Sequence, residues 1–162
     1  MKISTLPTGS GCRFCSKEII GKSYFSSGRY RAVYNIAPIL PGHTLIIPNS
    51  HYETLLELSD EELSEMFVFA RIVTIKLIQF FGSDGFDWTI QDGISAGQTV
   101  PHVHLHIIPR KPLDLPDGNE WYSKIQHTDN KILDSQNRDR LSEQEYNSIT
   151  DRLAEAFKTT IL

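Results

Sequence analysis

His102-Val103-His104-Leu105-His106-Ile107-Ile108-Pro109 is the stretch on which the reading of this chain turns. Its residues alternate, so on an extended backbone Val103, Leu105 and Ile107 share one face and His102, His104 and His106 the other. A strand over His102–Ile108 is expected. Three imidazoles at i, i+2, i+4 are a poor packing choice, because each ring needs hydrogen-bond partners if buried. A solvent-facing row of histidines is the plain alternative, and a metal site built from alternate imidazoles is another, since neutral imidazole is a common zinc ligand. A third reading comes from what precedes the strand. Ala96-Gly97-Gln98-Thr99 ends just before it, and a glycine-bearing turn with free N–H groups suits phosphate oxygens. Turn and histidines together would bring donors and imidazoles to one anion-binding site.

Working outward, Tyr30–Asn35 and His43–Pro48 read as neighbouring strands joined by the turn-like Pro38–Gly42. Phe86, Trp88 and Ile90 alternate with Asp87, Thr89 and Gln91, which predicts a half-buried strand over Phe86–Gln91. Ser59-Asp60-Glu61-Glu62 is a capping box. Behind it Leu63, Met66, Phe67, Ala70, Val73, Thr74, Leu77, Ile78 and Phe81 recur at three and four, predicting an amphipathic helix that ends at Gly82. Ser142-Glu143-Gln144-Glu145 is a second box, leading a helix with Tyr146, Ile149, Leu153, Ala156 and Phe157 on one side. Pro112–Asn137, rich in Asp, Asn, Pro and Gly, reads as loop or extension, with Trp121 as packing and His127 as a solvated side chain.

The chain has 162 residues, 40% hydrophobic and 22% charged, which fits one globular domain and excludes intrinsic disorder. Sixteen Lys and Arg against twenty Asp and Glu leave a net charge of −4, without the basic excess that attracts a nucleic acid polymer. The N-terminus carries no signal-like apolar stretch, and the most apolar run, Phe67–Phe81, is broken by Arg71, Lys76 and Gln79, so no membrane partner is expected. Two cysteines, Cys12 and Cys15, are too few for a disulfide framework and point to a reducing, cytoplasmic setting.

His102-Val103-His104-Leu105-His106-Ile107-Ile108 resembles the signature of the histidine triad nucleotide hydrolases and transferases. Pro41-Gly42-His43, Gln91-Asp92-Gly93, Ala96-Gly97-Gln98-Thr99-Val100 and Pro109-Arg110-Lys111 extend the resemblance, most closely to the fragile-histidine-triad branch, whose members cleave diadenosine polyphosphates. The resemblance implies an α+β fold: a five-stranded, mainly antiparallel sheet with the long helix packed on it. The single domain would have a core at about 12–112 and a C-terminal helical extension at 113–162, and would pair into a homodimer.

It also implies roles. His104 would be the nucleophile, attacking the α-phosphorus through Nε2 to form a nucleotidyl-histidine, with the backbone carbonyl of His102 fixing its tautomer. This agrees with the chemistry of a neutral imidazole near pH 7. His106 would assist the leaving nucleotide as donor or general acid, and in its protonated form add positive potential. Gln91, Gln98 and the N–H groups from Gly97 through Thr99 to Val100 would hold phosphate oxygens. Asn35 would grip ribose hydroxyls, its plain alternative being a turn-initiating Asn, and His43 would support the triad. Arg110 and Lys111 read as charges at the sheet end.

Bacterial members with Cys-x-x-Cys bind structural Zn²⁺ through that pair and two histidines. The matching positions are Cys12, Cys15, His51 and His102; a redox pair or two plain thiols are the alternatives. Mg²⁺ arriving with the substrate is left open. The leading function is hydrolysis of a nucleoside 5′-phosphoanhydride of the diadenosine polyphosphate type, releasing AMP. Its rivals are a nucleoside phosphoramidate hydrolase and a non-catalytic nucleotide- or zinc-binding module.

Overall fold

The Ser59 hydroxyl accepts from the Glu62 N–H while the Glu62 carboxylate accepts from the Ser59 N–H. This closed capping box starts helix α2, Asp60–Phe81, in the computed structural model, which describes residues 11–114 and 138–158. Three acidic residues in the first turn suit the positive end of the helix, and Gly82, at φ 62° and ψ 43°, closes the other end in the left-handed region that glycine adopts without strain.

Five strands form one sheet: β1 (Ser23–Ser27), β2 (Tyr30–Tyr34), β3 (Thr44–Pro48), β4 (Gly85–Ile90) and β5 (Leu105–Arg110), in the order β1-β2-β3-β5-β4 with every neighbouring pair antiparallel. Strands β2 and β3 are buried throughout, because both faces of the sheet are covered. One face puts Tyr30, Ala32, Tyr34, Ile46, Leu105 and Ile107 into the core shared with α2. Val33, Leu45 and Ile47 form the opposite face, covered by Phe14 from the N-terminal segment. A short helix α1 (Lys17–Gly21) leads from that segment into β1. Helix α3, Glu143–Lys158, adds Tyr146, Leu153 and Phe157 to the main core, with Phe157 against Tyr24 and Phe25. No helix among the described residues is long and apolar enough to cross a membrane.

The histidine stretch pairs over a shorter length than expected. β5 begins at Leu105 rather than His102, and His102 and His104 lie before it. The reason is opposite them on β3: pairing reaches Ile46↔Leu105, and the next residues meet Pro48, which has no N–H to continue the ladder. The Pro48 carbonyl takes the His102 ring instead, at 3.1 Å, and the Val103 N–H goes to the Tyr52 carbonyl. The three imidazoles still share one face: Val103, Leu105 and Ile107 join the core with α2, while His102 and His104 both meet Phe14 and His106 lies opposite Leu45 on the face that Phe14 covers.

Strand β1, short and serine-rich with a register shift between Ser23 and Phe25, carries no clear alternation, and the sequence pattern passes over it. Its presence corrects the buried face of α2. Phe69 stacks on Phe25 at 5.5 Å and is buried, whereas Phe67 is 37% exposed and leans on Trp88 at 5.9 Å. Phe86, expected inside, is 46% exposed because β4 is an edge strand. Between β2 and β3, Gly42 has φ +96°, and a Cβ there would lie 2.7 Å from Pro109 and 2.9 Å from Phe81. Only glycine lets this turn approach so closely and bring His43 over the sheet. Most of the expected Pro112–Asn137 loop, with Trp121 and His127, lies outside the described residues.

Candidate active site and metal cluster

Each imidazole of the site has its proton placed by its partners. His104 Nδ1 lies 2.8 Å from the His102 carbonyl, so it donates and leaves Nε2 with a free lone pair. His43 Nδ1 accepts the Ile39 N–H at 3.2 Å, which puts the His43 proton on Nε2, 2.9 Å from His106 Nδ1. His106 in turn keeps its proton on Nε2. The chain Ile39 N–H, His43, His106 thus sets the third imidazole as a donor beside the second as a lone pair, with ring centroids 4.9 Å apart.

Neutrality is enforced by burial. Desolvation pushes His43 down to about 3, helped by the Arg138 guanidinium and by the neighbouring His104 ring, which disfavours a second proton. Burial also holds His106 well below the usual histidine range, with His104, His43 and Arg138 adding to it. His104 is lowered by burial, partly offset by its bond to the His102 carbonyl. The expected protonated His106 is therefore corrected: a ring this buried beside other imidazoles stays neutral and acts as a hydrogen-bond donor.

His104 and His106 open into a cavity of about 160 Å³. Asn35, Thr99 and Val100 line it beside them, and Phe14, Ile19, Val33 and Leu45 give it an apolar side. Asn35 is buried at the end of β2, where its Oδ1 accepts the Ala37 N–H at 2.9 Å. Gln91 and Gln98 are drawn into the 93–98 loop itself. Gln91 Nε2 donates to the Ala96 carbonyl, Gln98 Oε1 accepts the Gly93 N–H, and Gln98 Nε2 donates to the Glu53 carbonyl. The Gly97 and Gln98 N–H groups bond to the Ile94 and Gly93 carbonyls, so both glutamines brace the loop that presents Thr99 and Val100. Arg110 is held by Asp87 at 2.7 Å and Asp114 at 2.9 Å, at the far end of β5 from His104.

Cys12, Cys15, His51 and His102 offer ligand atoms within 4.8 Å of one another and could hold a metal ion. Cys12 Sγ is 3.4 Å and Cys15 Sγ 3.5 Å from His102 Nδ1, Cys15 Sγ is 3.5 Å from His51 Nδ1, and the two Nδ1 atoms are 3.3 Å apart. His102 Nε2 donates to the Pro48 carbonyl, which turns the Nδ1 lone pair towards the sulfurs.

Residues 16–113, more than half of the chain, match the HIT domain family. The chain belongs to the HIT domain family. It is 38% identical over 120 residues to the asymmetrical bis(5′-nucleosyl)-tetraphosphatase of Schizosaccharomyces pombe, covering 74% of this chain and 66% of that protein. It is 37% identical over 103 residues to the bis(5′-adenosyl)-triphosphatase of Dictyostelium discoideum, covering 64% and 69%. This HIT chain therefore spans about two thirds of the length of these relatives. Among solved structures, a histidine triad nucleotide-binding protein from Sulfolobus tokodaii superposes with a TM-score of 0.70 at 26% identity, covering 91% of this chain and 92% of that one.

Some of the cavity of this HIT domain lies beyond the matched region. Arg140 and Tyr146 line it together with Arg13 and Lys22. The C-terminal segment is tied to the end of β2 by three bonds: Tyr146 Oη to the Tyr34 carbonyl, the Leu141 N–H to the Ile36 carbonyl and Arg138 Nε to the Ala37 carbonyl. Nothing in the spacing of these residues signals the arrangement, because it depends on where α3 crosses the sheet.

Proposed function

We propose that this HIT protein hydrolyses a nucleoside 5′-phosphoanhydride of the diadenosine polyphosphate type, releasing AMP through a covalent nucleotidyl-His104 intermediate. The observation that carries the reading is the pairing of tautomers at the cavity: a lone pair on His104 Nε2 beside a donor on His106 Nε2. The names of the two curated relatives favour a dinucleoside polyphosphate over a phosphoramidate.

The base lies against Phe14, Val33 and Leu45, the ribose hydroxyls meet Asn35, and the α-phosphate faces His104 with Thr99 and Val100 beside it. His104 Nε2 attacks the α-phosphorus. The P–N bond forms as the bond to the bridging oxygen breaks, and the electron pair leaves with that oxygen as a phosphate anion, which accepts the His106 Nε2–H. Substituted at Nε2, the His104 ring becomes cationic, so its Nδ1–H bond to the His102 carbonyl turns charge-assisted when the intermediate forms. Water then attacks phosphorus, the P–N bond breaks, and AMP and neutral His104 are regenerated.

For the metal cluster the same reading names Zn²⁺. Zn–S bonds of about 2.3 Å and Zn–N bonds of about 2.0–2.1 Å in a tetrahedron imply S···N edges of about 3.5 Å and N···N edges of about 3.4 Å, and the four donor distances fall within about 0.2 Å of these. A bound ion would supply a structural clip for the N-terminal segment. Two ligand thiols call for a reducing compartment, which supports a cytoplasmic location. A homodimer accounts for the apolar strip Phe67–Trp88–Phe86, continuous beside the β4 edge and flanked by exposed Val68 and Ile75 on α2.

The test is chromatographic product analysis with diadenosine triphosphate, diadenosine tetraphosphate and adenosine phosphoramidate, wild type beside His104→Ala. AMP release from a dinucleotide, lost in the variant, is expected. Activity on the phosphoramidate alone moves the protein to the rival hydrolase reading, and silence on all three to a binding module.

A further inference from the structure

Phe14 stands where two sites meet. It lies inside Cys12-Arg13-Phe14-Cys15, on the 3-10 turn Arg13–Cys15 that brings both sulfurs to His102 Nδ1. Its ring, only 8% exposed, meets His102 edge-on at 5.9 Å and His104 at 5.1 Å, and forms part of the cavity wall. His102 makes a second connection. One side of its ring faces the sulfurs, and its carbonyl holds the His104 Nδ1–H. The ligand loop and the pocket wall thus share a turn, and the ligand set and the nucleophile share a residue.

The turn lies before the first strand, outside the sheet ladder. Its bonds from Cys15 N–H to the Cys12 carbonyl and from Ser16 N–H to the Arg13 carbonyl are internal, and Arg31, buried beneath it, donates to the Phe14 carbonyl. Two sulfurs and two imidazole nitrogens approach at 3.3–3.5 Å, a set of contacts that weak thiol hydrogen bonds hold loosely and a common ion would fix. Without one, a ligand entering the cavity must order the Phe14 wall from its own binding energy.

We propose that Phe14 couples the two sites: a metal ion on Cys12, Cys15, His51 and His102 fixes Phe14 as the wall of the nucleotide pocket, so metal occupancy and nucleotide binding strengthen each other. The proposal rests on the nucleotide reading of the cavity. Phe14 is a positioning residue in it, and linkage requires both effects to share one factor.

The experiment uses the folded, Zn²⁺-loaded chain. Its Zn²⁺ affinity is measured by competition with a chromophoric chelator, with and without saturating AMP, while calorimetry on the same preparation reports AMP binding. AMP is expected to tighten Zn²⁺ at least about fivefold. In Phe14→Ala the factor falls towards one, and in Phe14→Tyr it returns. Leu153→Ala, a core change remote from both sites, lowers stability and keeps the factor, which separates coupling from general loss of fold. AMP that binds without changing Zn²⁺ affinity overturns the coupling and leaves the nucleotide reading standing. An undiminished factor in Phe14→Ala overturns the role of Phe14. Absence of AMP binding removes the nucleotide reading and the proposal together.

Discussion

Replacing His106 by phenylalanine keeps a flat ring in the same space and removes both nitrogens. The lost Nε2–H is the donor that meets the oxygen on which charge gathers as the leaving nucleotide departs. A hydrogen bond to a charged group is worth about 1.5–3 kcal/mol, and each 1.36 kcal/mol is tenfold in rate, so kcat should fall roughly 10- to 150-fold. This bound depends on His106 being neutral, as its burial dictates; a full proton donor would carry a loss of up to about 10⁴-fold. The size of the loss tells the two apart, and the leaving group tests whether His106 acts there at all. With a nitrophenyl ester of AMP, charge spreads into the departing ring and the loss shrinks to a few-fold. The variant also orphans the buried His43 Nε2–H at a cost of about 1–3 kcal/mol, lowering Tm by about 2–12 °C, so the assay belongs well below the lower Tm. Steady-state kcat and KM for both substrates, read as chromatographic AMP release, decide the matter. An equal loss on both substrates, or none, would refute the reasoning.

Burial of His43, His104 and His106 also makes stability depend on pH. Native pKa values lie below the unfolded 6.5, so the unfolded chain binds more protons in acid. Stability is complete above about pH 6.5 and falls below it, by up to about 1.4 kcal/mol per pH unit per ring until the native pKa is reached, about 3 for His43. Denaturant titrations between about pH 7 and about pH 5 should show this loss, and a flat profile would contradict it. Gly42→Ala, with its Cβ driven against Pro109 at positive φ, should cost about 1–3 kcal/mol and lower Tm without changing the reaction catalysed. Phe86→Asp should convert a dimer to monomer in light scattering, whereas a wild-type monomer would remove the homodimer reading.

The long helix was legible because Ser59, Glu62 and Gly82 are local signals that tertiary contacts did not overrule. Four strands were legible from alternation, while β1 was not, since three of the five residues of Ser23-Tyr24-Phe25-Ser26-Ser27 are serine and it owes its pairing to β2 and its burial to Phe69 and Phe157. At the site, the residue types of the histidine stretch pointed to chemistry and period two gave their shared face, but not how the face is divided between two sites. Pro48 ends the ladder and its carbonyl holds the His102 ring, so that along the same face His102 meets the cysteines while His104 and His106 line the cavity. The share of Arg140 and Tyr146 in the pocket was illegible for a different reason: it is a long-range crossing, encoded in no local pattern.

The central claim is a covalent intermediate on His104, and the stereochemical course at the α-phosphorus tests it most directly. A dinucleoside polyphosphate with a chiral α-phosphorothioate is hydrolysed in isotopically labelled water, and the configuration of the product is determined. Two successive in-line displacements, the first by His104 and the second by water, predict net retention. Net inversion would mean that water attacks the substrate directly, and would contradict the account.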